Sequence, residues 1–267
     1  MTVNAILETV TPDMALDWLT AEINCQNRKL KPPIVRKYAR DMAANNWTFN
    51  GDTIKFDWNG KLLDGQHRLH AVIEIGHPVQ FLVVRGLNPD AYTAIDTGAR
   101  RTAGDMMQHI GSKHSSAAAA AAKVLHWYET GQSEFNVLHS TAQLVAVYRA
   151  HPRLEEHVAR YDDSALRKKM RTGAAWPVVS YLVSSHLPDL LETFTQGVMD
   201  GANLQKGDPR HTLREWFFNR LQNRRAARND ERFNIISKAW NAHVEGRRVQ
   251  LLSHRYGEAP VRPLLVR

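Results

Sequence analysis

Cysteine is nearly absent from this chain, and its scarcity excludes whole classes of protein at once. The 267 residues hold one cysteine, Cys25, so neither an internal disulfide framework nor a cysteine-rich zinc site can form. A reducing cytoplasm is the expected setting. Long apolar runs are missing as well, and none approaches the ~20 residues of a membrane-spanning helix. The opening Met1-Thr2-Val3-Asn4-Ala5-Ile6-Leu7-Glu8 has no basic stretch leading into an apolar core, so no signal peptide is expected. Three catalytic signatures are also lacking: Gly-x-x-x-x-Gly-Lys-Ser/Thr, His-Glu-x-x-His and Gly-x-Ser-x-Gly. His109, His114, His126 and His139 are scattered without metal-ligand spacing.

What is present is ordinary in composition and uneven in charge. Hydrophobic residues make up 43% and charged residues 23%, within the range of globular proteins. The net charge is +8. Residues 1–112 carry 12 basic and 12 acidic groups, and residues 113–205 carry 9 and 9, so these balance. Residues 206–267 carry 14 and 6, which accounts for the whole excess. A localised positive surplus is the footprint of a surface that meets nucleic acid; a solvated helical face is the bland alternative.

Along the chain, Thr11-Pro12-Asp13 reads as an N-cap with proline opening a helix. A second helix follows Pro32-Pro33, with Ile34, Tyr38 and Met42 on one face. Ile54-Lys55-Phe56-Asp57 alternates apolar and polar as a strand does. Asn59-Gly60 predicts a type I′ hairpin turn, with Leu62-Leu63 as the returning strand. A helix from about Gln66 to Ile75 should stop at Gly76, and Val79–Val84 is a buried strand. Strand, helix and strand so close together resemble a compact crossover unit. Beyond Ala103, helical patterns dominate: Ser115–Tyr128, Thr141–Arg149, Leu154–Tyr161, Trp176–Ser185, Leu190–Met199, His211–Ala227 and Phe233–His243. The expectation is a small α+β domain over 1–110 and a mostly helical domain over 111–267, whose terminal segment is basic.

The chemistry concentrates in Asp64-Gly65-Gln66-His67-Arg68. A strand that ends there and opens a helix presents unpaired N–H groups and the positive end of the helix dipole. Gly65 permits close backbone approach, while Gln66, His67 and Arg68 set a neutral donor, a titratable donor and a permanent cation at one helix start. Asp64 would repel a bare phosphate, so it caps the helix, holds Arg68 or binds a divalent ion. Taken singly, each residue has a structural reading; their conjunction favours anion binding.

Two further candidates stand apart. Asp96, Arg100 and Arg101 flank a loop glycine, Gly98, just before a helix start near Thr102, where Asp96 could act as an acid or base and the arginines could face the same anion. Between Asp208 and Arg232 lie Arg210, Arg214, Arg220, Arg224, Arg225, Arg228 and Arg232. On one continuous helix at ~100° per residue, Arg210, Arg214, Arg225, Arg228 and Arg232 would share an arc about 60° wide. Leu221 interrupts it. Trp216, Phe217 and Phe218 read as core.

Asp64-Gly65-Gln66-His67-Arg68, after a hairpin and before a glycine-ended helix, resembles the loop of the ParB/sulfiredoxin superfamily, in its DGQHR branch of phages and bacterial DNA-modification loci. The resemblance covers about residues 24–105 and includes Asn27-Arg28. Ile95-Asp96-Thr97-Gly98 and Lys238-Ala239-Trp240-Asn241 are similar to a subgroup of phage-type relatives. The resemblance implies a nucleoside triphosphate, CTP or ATP, held by Gly65, Gln66, His67 and Arg68; Mg2+ at Asp64 is the divalent ion that the reading of that carboxylate allows. It also implies DNA as partner, a bacterial host cytoplasm, and a homo-oligomer as one option. Gln66 stands where sulfiredoxins need cysteine, which argues against sulfinic-acid reduction. Arg85-Gly86-Leu87-Asn88-Pro89-Asp90 replaces the Glu-Asn-x-x-Arg motif of ParB clamps, which argues against a CTP-gated clamp. The expected function is nucleotide-phosphate and DNA binding. The alternatives are a metal-dependent nuclease or phosphotransferase with Asp64, His67 and Asp96 as catalytic groups, and a non-catalytic interaction protein that keeps the fold.

Overall fold

The computed structural model describes residues 2–25, 27–95, 101–223 and 226–266. It is a mixed α+β structure, with a small four-stranded sheet and many helices. The chain divides into two compact units, Met1–Arg100 with Leu138–Gln143, and Arg101–Val137 with Leu144–Arg267. The division falls ahead of the expected residue 110.

The first unit begins with a strand that the sequence does not announce, β1 (Asn4–Val10), followed by α1 (Pro12–Trp18). Thr11 caps α1 by accepting the Met14 N–H at 3.2 Å, and Pro12 opens the helix as expected. Then come α2 (Pro32–Ala43), β2 (Thr53–Asp57), β3 (Leu62–Asp64), α3 (Gln66–Ile75) and β4 (Val79–Leu87). The sheet order is β1-β4-β2-β3. β4 runs antiparallel to β1 and parallel to β2, and β3 is antiparallel to β2. The crossover expectation is therefore corrected: α3 leads from β3 to an antiparallel strand two places away, with β2 between them. Leu69 and Val72 of α3 are fully buried with Ile54 and Val83 of the sheet and Val35 and Met42 of α2. Each such burial is worth roughly 1.5–3 kcal/mol.

The β2–β3 turn also differs from expectation. Asn59 does not take the positive φ that a type I′ turn requires; only Gly60 does, at +76°. Asp57 is the reason. Its Oδ1 accepts the N–H groups of Asn59 and Lys61 at 2.8 and 2.7 Å, while the Gly60 N–H donates to Asp57 O at 3.2 Å. A carboxylate that chelates the loop amides favours a type I turn ending on a left-handed glycine.

The second unit is helical: α4 (Ala103–His109), α5 (Ser115–Thr130), α6 (Thr141–Ala150, whose start is counted with the first unit), α7 (Leu154–Asp162), α8 (Ala165–Met170), α9 (Ala175–Ser184), α10 (Pro188–Asp200), α11 (Pro209–Gln222) and α12 (Asn229–Val244). Thr102 and Asp105 form a reciprocal capping box on α4. Trp127, Trp176 and Trp240 are buried to within 1% and knit α5, α9 and α12 into one core. Phe194 stacks on Trp176 at 5.8 Å and meets Trp240 edge-on at 5.5 Å. Trp240 Nε1 donates to Leu264 O at 2.8 Å, and the Asn241 side chain bonds Arg262 O and the Leu264 N–H. Trp240 and Asn241 thus clamp the irregular chain end onto α12.

A continuous helix over His211–Ala227 does not form. α11 stops at Gln222, and α12 starts afresh at Asn229 behind the Arg228 cap. Asp230 and Glu231 occupy the first turn of α12, where negative charge complements the dipole.

Candidate anion-binding site

The motif loop is built by a glycine that packs against protein. Gly65 has φ +112° and is the N-cap of α3. A Cβ there would lie 2.5 Å from Ile54 Cδ1, and Ile54 is fully buried. The expectation that Gly65 makes room for a ligand is thereby corrected, because the space belongs to β2. Gly65→Ala is expected to cost about 2 kcal/mol in unfolding free energy, from positive φ and the clash together. Adding Ile54→Val, which deletes Cδ1, should recover part of that loss in urea melts; no recovery would show that the clash is not its source.

Two side chains of the motif, Gln66 and His67, and one of the segment itself, Asn27, lace residues 24–31 over the β3–α3 junction. Asn27 Nδ2 donates to Leu62 O at 2.6 Å, and Gln66 Nε2 to Arg28 O at 2.6 Å. The Lys31 N–H donates to His67 Nε2 at 3.1 Å. Gln66 and His67 are buried. Burial holds the His67 pKa below its usual value, aided by the charges of Arg28, His70, Arg68 and Lys31. His67 is therefore neutral near pH 7, with its proton on Nδ1 and its Nε2 lone pair engaged. A general base would need that lone pair free.

Arg68 and Asp64 turn toward one another. Arg68 Nη2 donates to Asp64 Oδ2 at 3.0 Å and to Thr53 O at 2.6 Å, and Lys55 Nζ lies 3.3 Å from the same Asp64 oxygen. Of the three roles open to Asp64, holding Arg68 is the one the geometry displays. Arg68 does not line the cleft beside the loop, so its expected place on a phosphate is corrected. Asp64 also makes a poor metal ligand, since two cations already share one of its oxygens. Among the described residues, no group of three or more His, Cys, Asp or Glu side chains is arranged to hold a metal ion. The residues do not fit Mg2+.

A cleft of about 150 Å3 opens beside the start of α3, lined by Asn27, Arg28, Leu63, Asp64, Gln66, His67, Tyr92 and Ile95. The N–H groups of Arg68 and Leu69 donate to Gly65 O at 2.9 and 3.0 Å. Those of Gln66 and His67 have no acceptor among the described residues. Two helix-start amides and the positive end of the α3 dipole thus meet a cleft that Arg28 also lines. The cleft has room for a phosphate group rather than a whole nucleotide.

Arg28 and Tyr92 escape a reading of the motif alone. Arg28 lies far from it in sequence, although Asn27-Arg28 is part of the resemblance. Tyr92 comes from the 3-10 stretch Pro89–Ala94, which carries no strong pattern. Asp96 and Arg100 lie outside the described residues. Arg101 is an exposed residue of the second unit, ahead of the Thr102 cap rather than in the first turn of α4.

The expected arc of arginines is not assembled. Arg210 forms a two-toothed pair with Asp208, and Arg214 donates to Val198 O. Both arginines pack on glycines at the end of α10: a Cβ on Gly197 would lie 2.8 Å from Arg210 Cδ, and one on Gly201 would lie 2.6 Å from Arg214 Cζ. Arg228 pairs with Asp230, and Arg232 bonds Asn229 Oδ1 at 3.1 Å. Arg224 and Arg225 lie outside the described residues. These arginines sit on two helices and a cap, and Arg210, Arg214 and Arg228 are held in local pairs or backbone bonds.

No family model matches this chain, and searches of curated proteins and of solved structures find no match. No helix among the described residues is long and apolar enough to cross a membrane.

Proposed function

We propose that this protein binds a nucleotide through its phosphate at the start of α3, as a ParB/sulfiredoxin-like protein acting in DNA metabolism. The observation that carries the reading is the pair of helix-start amides, Gln66 and His67, which have no acceptor among the described residues and lie at one small cleft. The terminal phosphate enters the cleft, and the sugar and base stay outside. With Asp64 paired and the His67 lone pair occupied, the site favours binding over catalysis. DNA is the proposed macromolecular partner, on the strength of the surplus of basic groups in 206–267. Five of the six acidic groups there, Asp208, Asp230, Glu231, Glu245 and Glu258, are paired with neighbouring cations, so the surplus is carried by the remaining basic residues.

A ligand that binds only the native state must raise its stability. A thermal-shift panel of CTP, ATP, their monophosphates and unphosphorylated nucleosides should raise the melting temperature with the phosphorylated members alone. Magnesium should add little. Arg28→Ala should shrink the shift. Equal shifts with nucleosides, or none at all, would sink the proposal.

A further inference from the structure

The helical unit holds a second cationic cleft, of about 560 Å3, within the size range of organic-ligand sites. Arg171, Arg220 and Arg232 line it from α11, α12 and the end of α8. Met170, Trp216 and Leu221 supply apolar wall.

Among the described residues, neither Arg171 nor Arg232 has an ion-pair partner. Arg232 is half-buried, and its guanidinium donates to the neutral Asn229 Oδ1 at 3.1 Å. Burial lowers its pKa; the charge of Glu231 raises it and that of Arg171 lowers it. A cation desolvated beside another cation is a costly arrangement unless an anion joins them.

Arg232 also reaches a neighbouring smaller cavity, where Gly173 has φ +63° and a Cβ on it would lie 2.7 Å from Asn229 Oδ1 and 2.9 Å from Arg232 Nη1. Arg171 is the left-handed C-cap of α8, with φ +53° and its N–H donating to Arg167 O at 3.0 Å, so its place at the cleft is fixed by the end of that helix. Arg220 differs from the other two. It pairs with Glu231 and lies 4.9 Å over the Trp216 ring, offering a flat guanidinium backed by an indole.

We propose that this cleft binds a nucleotide unit, with the phosphate between the Arg171 and Arg232 guanidiniums and the base against the Arg220–Trp216 stack. Guanidinium forks match phosphate oxygens, and bases stack on arginine planes and aromatic rings. The unit can come from a free nucleotide or from a single strand. This proposal concerns a site separate from the α3 cleft and stands without it.

The test uses the full chain and tryptophan fluorescence, titrated with AMP, adenosine, inorganic phosphate and an oligodeoxythymidylate of eight nucleotides. AMP or the oligonucleotide should quench saturably, and adenosine should not. Trp216→Phe should abolish most of the quenching. Arg171→Asn keeps a residue that tolerates positive φ and sits on an exposed position, so the fold is preserved; it should weaken binding about tenfold. Arg232→Gln should weaken it at least as much. Saturation by AMP assigns the free nucleotide, and saturation by the oligonucleotide alone assigns the single strand. Unchanged affinity in Arg171→Asn with a native melting temperature, quenching that persists in Trp216→Phe, or no binding by either probe would overturn the proposal.

Discussion

Asp64→Ala is expected to lower the unfolding free energy by about 3–4 kcal/mol, one of the two largest effects foreseen for this chain. Arg68 and Asp64 side chains are only 12% and 14% exposed. Removing the carboxylate strands a guanidinium in a poorly solvated place and leaves Lys55 without its partner. Thr53 O continues to accept one Arg68 donor and the more exposed Asp52 carboxylate stays 3.8 Å away, which keeps the cost below that of a fully orphaned charge. The companion Arg68→Met should cost less than its own pairing suggests, because Lys55 still compensates Asp64. In the double variant the losses should fall well short of additive, by 1 kcal/mol or more, as coupled partners do. Chemical denaturation of the four proteins measures this. A metal-ligand role for Asp64 predicts the opposite: near-native stability in Asp64→Ala and loss of a divalent-ion effect.

The second large effect is on pH dependence. His157 of α7 is buried between hydroxyls, with Nδ1 2.9 Å from Ser180 Oγ and Nε2 3.2 Å from Ser184 Oγ. Burial is the main cause that pushes its pKa down to about 4; the nearby Arg153 and Arg160 add to it and Glu156 opposes it. In the unfolded chain the same imidazole binds a proton near pH 6.5. The unfolded state therefore takes up protons first as the pH falls. The stability due to the neutral ring is complete above about pH 6.5 and is lost progressively toward pH 4, by about 3 kcal/mol. His67 and His70, also held below their usual pKa chiefly by burial, act in the same direction. His157→Leu should flatten the slope, since Ser180 and Ser184 keep other partners in Tyr161 Oη and Tyr181 O. Urea melts at pH 7 and pH 4 decide it. A slope unchanged in His157→Leu would contradict the assignment.

These two pairs show what a sequence discloses and what it withholds. Local signals read true where one residue governs its own neighbourhood: Thr11 as a cap, a helix start near Thr102, Gly76 as the left-handed stop of α3, Leu62-Leu63 as a returning strand. β1 was not legible, because Ala5, Ile6 and Leu7 run together without alternation. Only Val10 of that strand is buried, and pairing with β4 holds it in place. The α11–α12 break lacks glycine and proline, yet Asn229-Asp230-Glu231 carries the acidic first turn that marks a new helix.

The site divides in the same way. Proposing an anion site at Gly65–Arg68 needed only helix-start physics. Which way each side chain turns did not follow, because that depends on residues distant in sequence. Arg68 is drawn off by Thr53 and Asp64, His67 by Lys31, and Gln66 by Arg28. Asp64 and Arg68 sit four apart, the one spacing that hinted at their pairing. The arginine arc failed for the opposite reason: a helical wheel assumed a helix that ends at Gln222.

The central claim is that a phosphate sits on the Gln66 and His67 amides. A titration with CTP and ATP, followed through backbone amide shifts of the isotope-labelled protein, tests it most directly. The account predicts saturable shifts at Gly65–Arg68 and Arg28 that weaken with salt and are absent with unphosphorylated nucleoside. Saturable shifts that leave these amides unmoved, or no shifts at all at millimolar nucleotide, would contradict it.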